Sequence, residues 1–385
     1  MKAAPPQRLR LAYQGLAIEV QSAAPSHLHW LEEFLSPHFE PSAGSEPAWL
    51  VEVIEDDHGW KAMRATGSTA VGEIDCFALD SSVVRLPLWR QERTAATVFD
   101  EDYQVFYAVE RESRRVTILS PDSNPSLRTP LMRVIRELAM NHCHQLGGLF
   151  LHASCVDVDG QGVVVTGRKA AGKTTLLMHL LGDRRSRYIA NDRLLIPAGP
   201  RPLAFGLPSV VTIRPRTLEL FPRIAERLQQ RGYRQQLTIG EARVLQQPPR
   251  PWGDGRYGMT PAQLCDLLGT TPCRATRPAA ILFPHVTEQP GTISLLPLTS
   301  EAAGERLIPS LLGAGTWKKH SDFFTLSERS SPGPDEATLI SRCHSLAAEV
   351  PAFECVLGWQ AYEDVDIRDA LLERLATMAG GRARE

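Results

Sequence analysis

Val163-Val164-Val165-Thr166-Gly167-Arg168-Lys169-Ala170-Ala171-Gly172-Lys173-Thr174-Thr175-Leu176 is the stretch on which the reading of this chain turns. Its β-branched start reads as a strand buried on both faces. Gly167 to Thr174 then has the spacing G-x-x-x-x-G-K-[ST] in full. Each residue type there suits one task. Glycines let backbone N–H groups close around phosphate oxygens, and Lys173 sets a compact positive charge on the β- and γ-phosphates. Thr174 offers a hydroxyl to Mg²⁺, and a helix beginning at Lys173 turns its positive dipole end toward the same anion. Gly167, Arg168, Lys169, Ala170, Ala171, Gly172, Lys173, Thr174 and Thr175 are therefore the candidate nucleotide-binding residues. They read as a P-loop (Walker A) segment, with ATP and Mg²⁺ as the implied ligands. The plain alternative is a glycine-rich turn with an incidental lysine.

The neighbouring sequence fits a phosphate loop. Leu149 to His152 is apolar, Cys155 to Val158 is β-like, and Asp159-Gly160-Gln161-Gly162 is a strong turn. After the loop the pattern predicts a helix over Lys173 to Leu181 and a strand over Tyr188 to Ala190. Such a loop needs an acid to organise the metal or the nucleophile. Asn191-Asp192 follows the strand, and Asp192 comes 192 − 173 = 19 positions after Lys173, room for one helix and a return strand. Asn191 has the atoms to hold water or metal but is no carboxylate base. Thr174 and Asp192 are the candidate metal ligands. Further on, helices are expected around Arg216–Arg231 and Pro261–Leu268, then over Ser300–Leu312, Asp335–Glu349 and Ile367–Met378. Strands are expected over Ala279–Phe283, Ile293–Pro297 and Ala352–Leu357.

Leu151-His152-Ala-Ser-Cys-Val-Asp-Val-Asp-Gly-Gln-Gly, continued through the loop to Tyr188-Ile-Ala-Asn191-Asp192-Arg193-Leu-Leu-Ile196, resembles the HPr kinase/phosphorylase superfamily, and in particular its HPr-kinase-like relatives. His152 matches the family's histidine two strands before the loop, and Asn191-Asp192 occupy its acidic pair. Glu349-Val-Pro-Ala-Phe-Glu-Cys-Val356 resembles its closing strand. The resemblance implies an α/β protein. Residues 147–385 would be a P-loop kinase domain of the HPr kinase/phosphoenolpyruvate carboxykinase type. Residues 1–146 would be a mixed α/β domain for substrate recognition or assembly. It further implies an ATP-dependent kinase acting on a hydroxyl, with Asp192 as base or orienter and His152 holding it. Relatives phosphorylate serine in ribosomally made peptides, and others act on free serine. The chain departs from the pattern at Ala170 and Lys169 in the loop and at Asn191, and lacks the phosphorylase signature Glu-x-Arg-Gly-Leu. These departures point away from HPr itself as acceptor. An arginine aimed at the γ-phosphate is expected, Arg214 or Arg193. A non-catalytic ATP-binding sensor or assembly protein, a simple NTPase and a small-molecule kinase are the competing readings.

Composition bounds the rest. The chain has 385 residues and a net charge of 42 − 44 = −2, so no basic excess draws it to nucleic acid or to an anionic membrane. Only 6 of the 42 cations are lysine, and two of those lie in the loop. The seven cysteines are scattered without a CxxC, as expected for reduced thiols. Met1 to Gly15 lacks the apolar core of a secretory signal, and no run of about 18 apolar residues occurs. A cytosolic protein, as a possible homo-oligomer, acting on a hydroxyl-bearing peptide or protein is the expectation. In the first part, Leu9–Tyr13 and Leu16–Val20 read as a hairpin, Ser26 as the N-cap of a helix to Leu35, and Thr129–His144 as a long helix. His142-Cys143-His144 is a poor metal site by spacing. Trp317-Lys318-Lys319-His320 reads as a solvated basic face.

Overall fold

The computed structural model describes residues 6–42, 46–66, 70–79, 82–92, 94–168, 170–231, 257–287, 293–312, 334–358 and 364–380. These divide between a compact unit running up to Gln145 and a second one starting at Leu146. Loop residue Lys169 and the Trp317–His320 patch lie outside the described residues.

The first unit is α/β. Its elements are β1 (Gln7–Tyr13), β2 (Leu16–Ser22), α1 (Pro25–Leu35), β3 (Glu40–Pro41), β4 (Trp49–Glu55), α2 (Asp57–Thr66), β5 (Gly72–Leu79), β6 (Ser82–Gln91), β7 (Ala95–Asp100), β8 (Val105–Glu110), β9 (Arg115–Ser120) and α3 (Arg128–Gln145). The strands form one sheet in the order β3-β1-β2-β4-β9-β8-β7-β6-β5. β2, β4 and β9 run parallel. The hairpin turns at Gln14-Gly15, both at positive φ. Helix α1 begins one residue before Ser26: Ala24 is the N-cap and makes no side-chain bond, and Pro25 sets the first turn. Strands β4, β6, β8 and β9 fall on stretches that read as strands, over Trp49–Ile54, Val83–Leu88, Tyr103–Val109 and Arg115–Leu119, whereas helix α2 and strands β3, β5 and β7 have no counterpart in the sequence reading. The ring of Trp60 in α2 leans on Phe99 and Phe106, a long-range contact that local periodicity does not reveal.

The second unit contains β10 (Leu149–Leu151), β11 (Ala153–Val158), β12 (Gln161–Thr166), α4 (Lys173–Leu181), β13 (Ser186–Ala190), β14 (Leu194–Ile196), β15 (Ala204–Gly206), β16 (Val211–Ile213), α5 (Pro215–Leu218), α6 (Pro222–Arg231), β17 (Tyr257–Met259), α7 (Pro261–Leu268), β18 (Ala275–Thr287), β19 (Ile293–Pro297), α8 (Ser300–Leu307), β20 (Leu311–Leu312), α9 (Glu336–Glu349), β21 (Ala352–Gly358) and α10 (Val365–Gly380). Prolines explain where these differ from expectation. Pro222 splits the helix read over Arg216–Arg231 into α5 and α6. Pro309 ends the helix read over Ser300–Leu312 at Leu307, in a 3₁₀ turn over Ile308–Ser310. Strand β18 is longer than the reading of Ala279–Phe283. It absorbs Pro278 at a register shift against β12, and Pro284 lies past its last β12 partner, Leu282.

The main sheet runs β13-β11-β12-β18-β15-β14-β10-β20, with β21 beside β18 and β19 beside β21. Its central strands are buried on both faces, which is why Val163-Val164-Val165 shows no alternation. Val163 and Val165 pack with Leu176, Leu177 and Leu180 of α4, while Val164 faces Leu149, Leu151, Ile281 and helices α8 and α9.

Chain connectivity forces this sheet to curl. β10 and β11 stand five places apart in the order, yet one residue, His152, joins them. In a flat sheet five steps of about 4.8 Å would part them by about 24 Å, and two residue steps reach at most about 7 Å. The same holds for β13 and β14, also five places apart and joined by residues 191–193. The sheet therefore folds back on itself, and residues of both arms, Leu151 and Leu194 with Cys155 and Ala190, share one core.

Asp157 fastens the other end of β11. It is 1% exposed. Its Oδ1 accepts from the backbone N–H of Gly160 at 3.2 Å and from Arg187 Nη2 at 2.7 Å, while Thr276 Oγ1 donates to Oδ2 at 2.5 Å. One carboxylate so joins the β11–β12 turn, β13 and β18. Burial opposes its charge, but these bonds and the Arg187 guanidinium outweigh burial and hold its pKa below the ordinary Asp value. Asp157→Ala is expected to cost about 2–3 kcal/mol in urea unfolding. With the native pKa below the unfolded one, the stabilisation is full above about pH 4 and is lost as pH falls through the native pKa. Wild-type stability should therefore drop more steeply below pH 4 than that of the alanine variant.

Candidate functional site

The loop between β12 and α4 bends at three positive φ angles: Gly167 at 143°, Ala170 at 66° and Gly172 at 98°. The two glycines adopt such angles without steric cost; Ala170 does not. Gly172 is the left-handed N-cap of α4, and a Cβ there would lie 3.0 Å from Val286 Cγ2. Inside the loop, Lys173 Nζ donates to the carbonyls of Gly167 at 2.8 Å and Arg168 at 3.2 Å. Lys173 is nearly buried, Thr174 is half-buried, Thr175 is buried, and Arg168, Ala170 and Ala171 reach or approach the surface. The ammonium thus sits at the loop's centre, beside the first turn of α4, whose N–H groups lack helical partners.

At the two crossings of the curled sheet, His152 and Asp192 meet. His152 Nε2 lies 3.3 Å from Asp192 Oδ1, with the side chains 31% and 39% exposed. The pair is thus close enough to bond and open enough to meet a substrate. Burial would raise the Asp192 pKa. The hydrogen bond from His152 and the charges of His152, Arg193 and Lys173 outweigh it, so the carboxyl stays below its ordinary value. Lys173 being among these charges ties the loop electrostatically to the dyad.

Asn191 is committed elsewhere. It is buried; its Oδ1 accepts from Tyr188 Oη at 2.6 Å, its Nδ2 donates to Val210 O at 3.4 Å, and its own carbonyl accepts from Ser154 Oγ at 2.8 Å. That leaves its amide as a brace for the turn that presents Asp192. Arg193 donates to Ser209 Oγ at 3.2 Å. Arg214 caps the start of α5 with an exposed side chain, and no hydrogen bond or ion pair joins that side chain to the dyad. His142 Nε2 faces Gln14 O at 3.2 Å and Cys143 is buried, its thiol pushed up to about 12 by burial, so that triplet is packing within the first unit. Among the described residues no three His, Cys, Asp or Glu side chains gather as a metal cluster.

Sequence reasoning missed Ser154, Ser310 and the bracing role of Asn191. Thr166 Oγ1 bonds Ser310 Oγ at 2.7 Å and the His152 carbonyl at 3.3 Å, while the His152 N–H donates to Ser310 O at 2.7 Å. The one signal for Ser154 is a polar residue between two apolar runs, and Ser310, in a stretch that reads as helix, gives none.

No family model matches the chain, and no curated protein does. That overturns the labels P-loop, Walker A, HPr-kinase-like and ATP-binding as statements of kinship. The eight residues Gly167–Thr174 have the spacing, but no matching family stands behind it.

Two stability changes should follow from this geometry. Asn191→Ala is expected to destabilise by about 1–3 kcal/mol, since it strips the buried Tyr188 hydroxyl of its acceptor. Ala170→Gly should stabilise by up to about 1 kcal/mol by relieving the left-handed backbone. Urea midpoints of both variants check these signs.

Proposed function

We propose that this chain is a phosphotransferase, moving the γ-phosphoryl group of ATP to a hydroxyl, with a Ser or Thr side chain of a peptide or protein as the acceptor class. The observation that carries the reading is the His152–Asp192 dyad, 3.3 Å apart, with the Lys173 charge reaching Asp192 from the loop. It rests on this geometry and not on kinship.

In this scheme Lys173 and the first N–H groups of α4 bind the phosphates, offering a positive charge and backbone donors at one place. Thr174 and Asp192 would hold Mg²⁺. One hydroxyl and one carboxylate suit a hard cation that keeps several waters and takes the rest of its shell from phosphate oxygens. When bound, the ion neutralises charge on the transferring phosphoryl group. Asp192, kept ionised by its lowered pKa, accepts a hydrogen bond from the incoming hydroxyl and orients it; the hydroxyl proton is released late, once the new O–P bond has largely formed and ADP is leaving. His152 fixes the carboxylate by its Nε2–H. A cytosolic setting suits Cys143, Cys155, Cys265, Cys273, Cys343 and Cys355, which are free thiols, and no helix among the described residues is long and apolar enough to cross a membrane.

γ-Labelled ATP, with serine-bearing peptides and free serine as acceptors, tests the scheme. Label on a peptide is the expected result, with Asp192→Asn lowering the rate by about a hundredfold or more and Lys173→Ala weakening nucleotide binding in calorimetry. Free phosphate alone would mark a simple NTPase, and binding without turnover a sensor. Full activity in either variant would overturn the scheme.

A further inference from the structure

Ser154 stands where the backbone ladder between β11 and β13 gives out. The strands pair from Val158↔Ser186 up to Cys155↔Ala190, with a register irregularity between Cys155 and Val156. Beyond that rung no pairing of the two strands continues toward the dyad. There the Ser154 hydroxyl donates to the Asn191 carbonyl at 2.8 Å. The donor lies two residues after His152, and the acceptor is the residue before Asp192. Ser154 is 0% exposed and Asn191 6% exposed, so water does not replace this bond when it is lost. It is a side-chain rung added to the ladder one step short of the catalytic pair.

Each crossing is also braced separately. The backbone of His152 is held through Ser310 and Thr166, and the amide of Asn191 through Tyr188 and Val210. Those braces fix each segment to its own surroundings. The Ser154 bond instead runs from the His152 strand directly to the Asp192 turn; on the other side of the pair the backbone ladder resumes at Leu151 and Leu194. A shift of about 1 Å in either segment would open a 3.3 Å contact, and misplacements of that size can cost about a hundredfold in rate.

We infer that Ser154 is a positioning residue, whose hydroxyl sets the separation of His152 and Asp192 by tying their two chain crossings together. The inference rests on the dyad proposed above but concerns its geometry, which can be read without turnover.

The test compares wild type with Ser154→Ala, Ser154→Cys and Ser154→Thr, and with Asp192→Asn. Cysteine fills nearly the same space with a poor donor, so it keeps the question open should alanine fail to fold. Threonine restores the hydroxyl. At one fixed neutral pH, the ¹⁵N spectrum of the histidine imidazoles reports the partner of His152 Nε2. The expected result is that Ser154→Ala and Ser154→Cys shift the His152 signal to the Asp192→Asn position, while Ser154→Thr leaves it with wild type. In the phosphotransfer assay kcat should fall roughly tenfold to a hundredfold with KM for ATP unchanged, and threonine should recover it. A wild-type His152 signal in both the alanine and cysteine variants would overturn the inference, whatever their activity. A shifted signal in a protein with no wild-type phosphotransfer would keep the positioning role and sink the phosphotransferase reading.

Discussion

Two very short links joining distant strands are the constraint from which the rest of the second unit follows. One residue carries the chain from β10 to β11, and three carry it from β13 to β14, across five places of the sheet order each time. A flat sheet has no path for either link. Curling brings both arms against a single apolar core, and brings the links themselves side by side. Strand β18 makes the curl continuous: its first residues pair with β15 and the following ones with β12. At Gly162, where β12 meets it, an added Cβ would stand 2.6 Å from Thr276 Cγ2 and 2.9 Å from the Arg277 carbonyl, so close approach of the two strands depends on a bare backbone there.

The dyad is a by-product of that geometry. Neither His152 nor Asp192 lies within a strand; each occupies a link, where the backbone leaves the ladder and a side chain can turn out of the core. Polar residues buried behind them then decide the geometry. Ser154, Asn191, Thr166 and Ser310 satisfy one another and the link carbonyls, which is how a mostly apolar interior tolerates so many hydroxyls and amides at one place. The glycine-rich loop sits at the end of β12, whose final residue, Thr166, belongs to the same set of bonds. Loop and dyad thus share a support as well as an electrostatic field.

Much of this was legible locally. The apolar Val163–Val165 run, the glycines of the loop, the helices over Pro261–Leu268 and Asp335–Glu349, and the strand Ile293–Pro297 all announce themselves within a few residues. Asp192 could be placed at a strand end from spacing alone. What could not be read was anything decided by strand order. The partnering of Ser154 with Asn191, 37 positions apart, and of Thr166 with Ser310, 144 apart, depends on the curl, which no periodicity encodes. The prolines of β18 misled for a related reason: they break a strand in isolation, yet sit harmlessly where a register slips or a neighbour has ended. Helix α2 escaped because the surface it buries belongs to aromatic residues about forty positions away. The Arg214 reading rested on its place directly after the strand Val211–Ile213, a local position that does not tell which way the side chain goes.

The two short links also place the pair between two ladders. Cys155 pairs with Ala190 on one side of it and Leu151 with Leu194 on the other. The histidine and the aspartate thus face each other across a short gap in backbone pairing that is closed at both ends. Loss of pairing in one arm leaves the two links still held from the other.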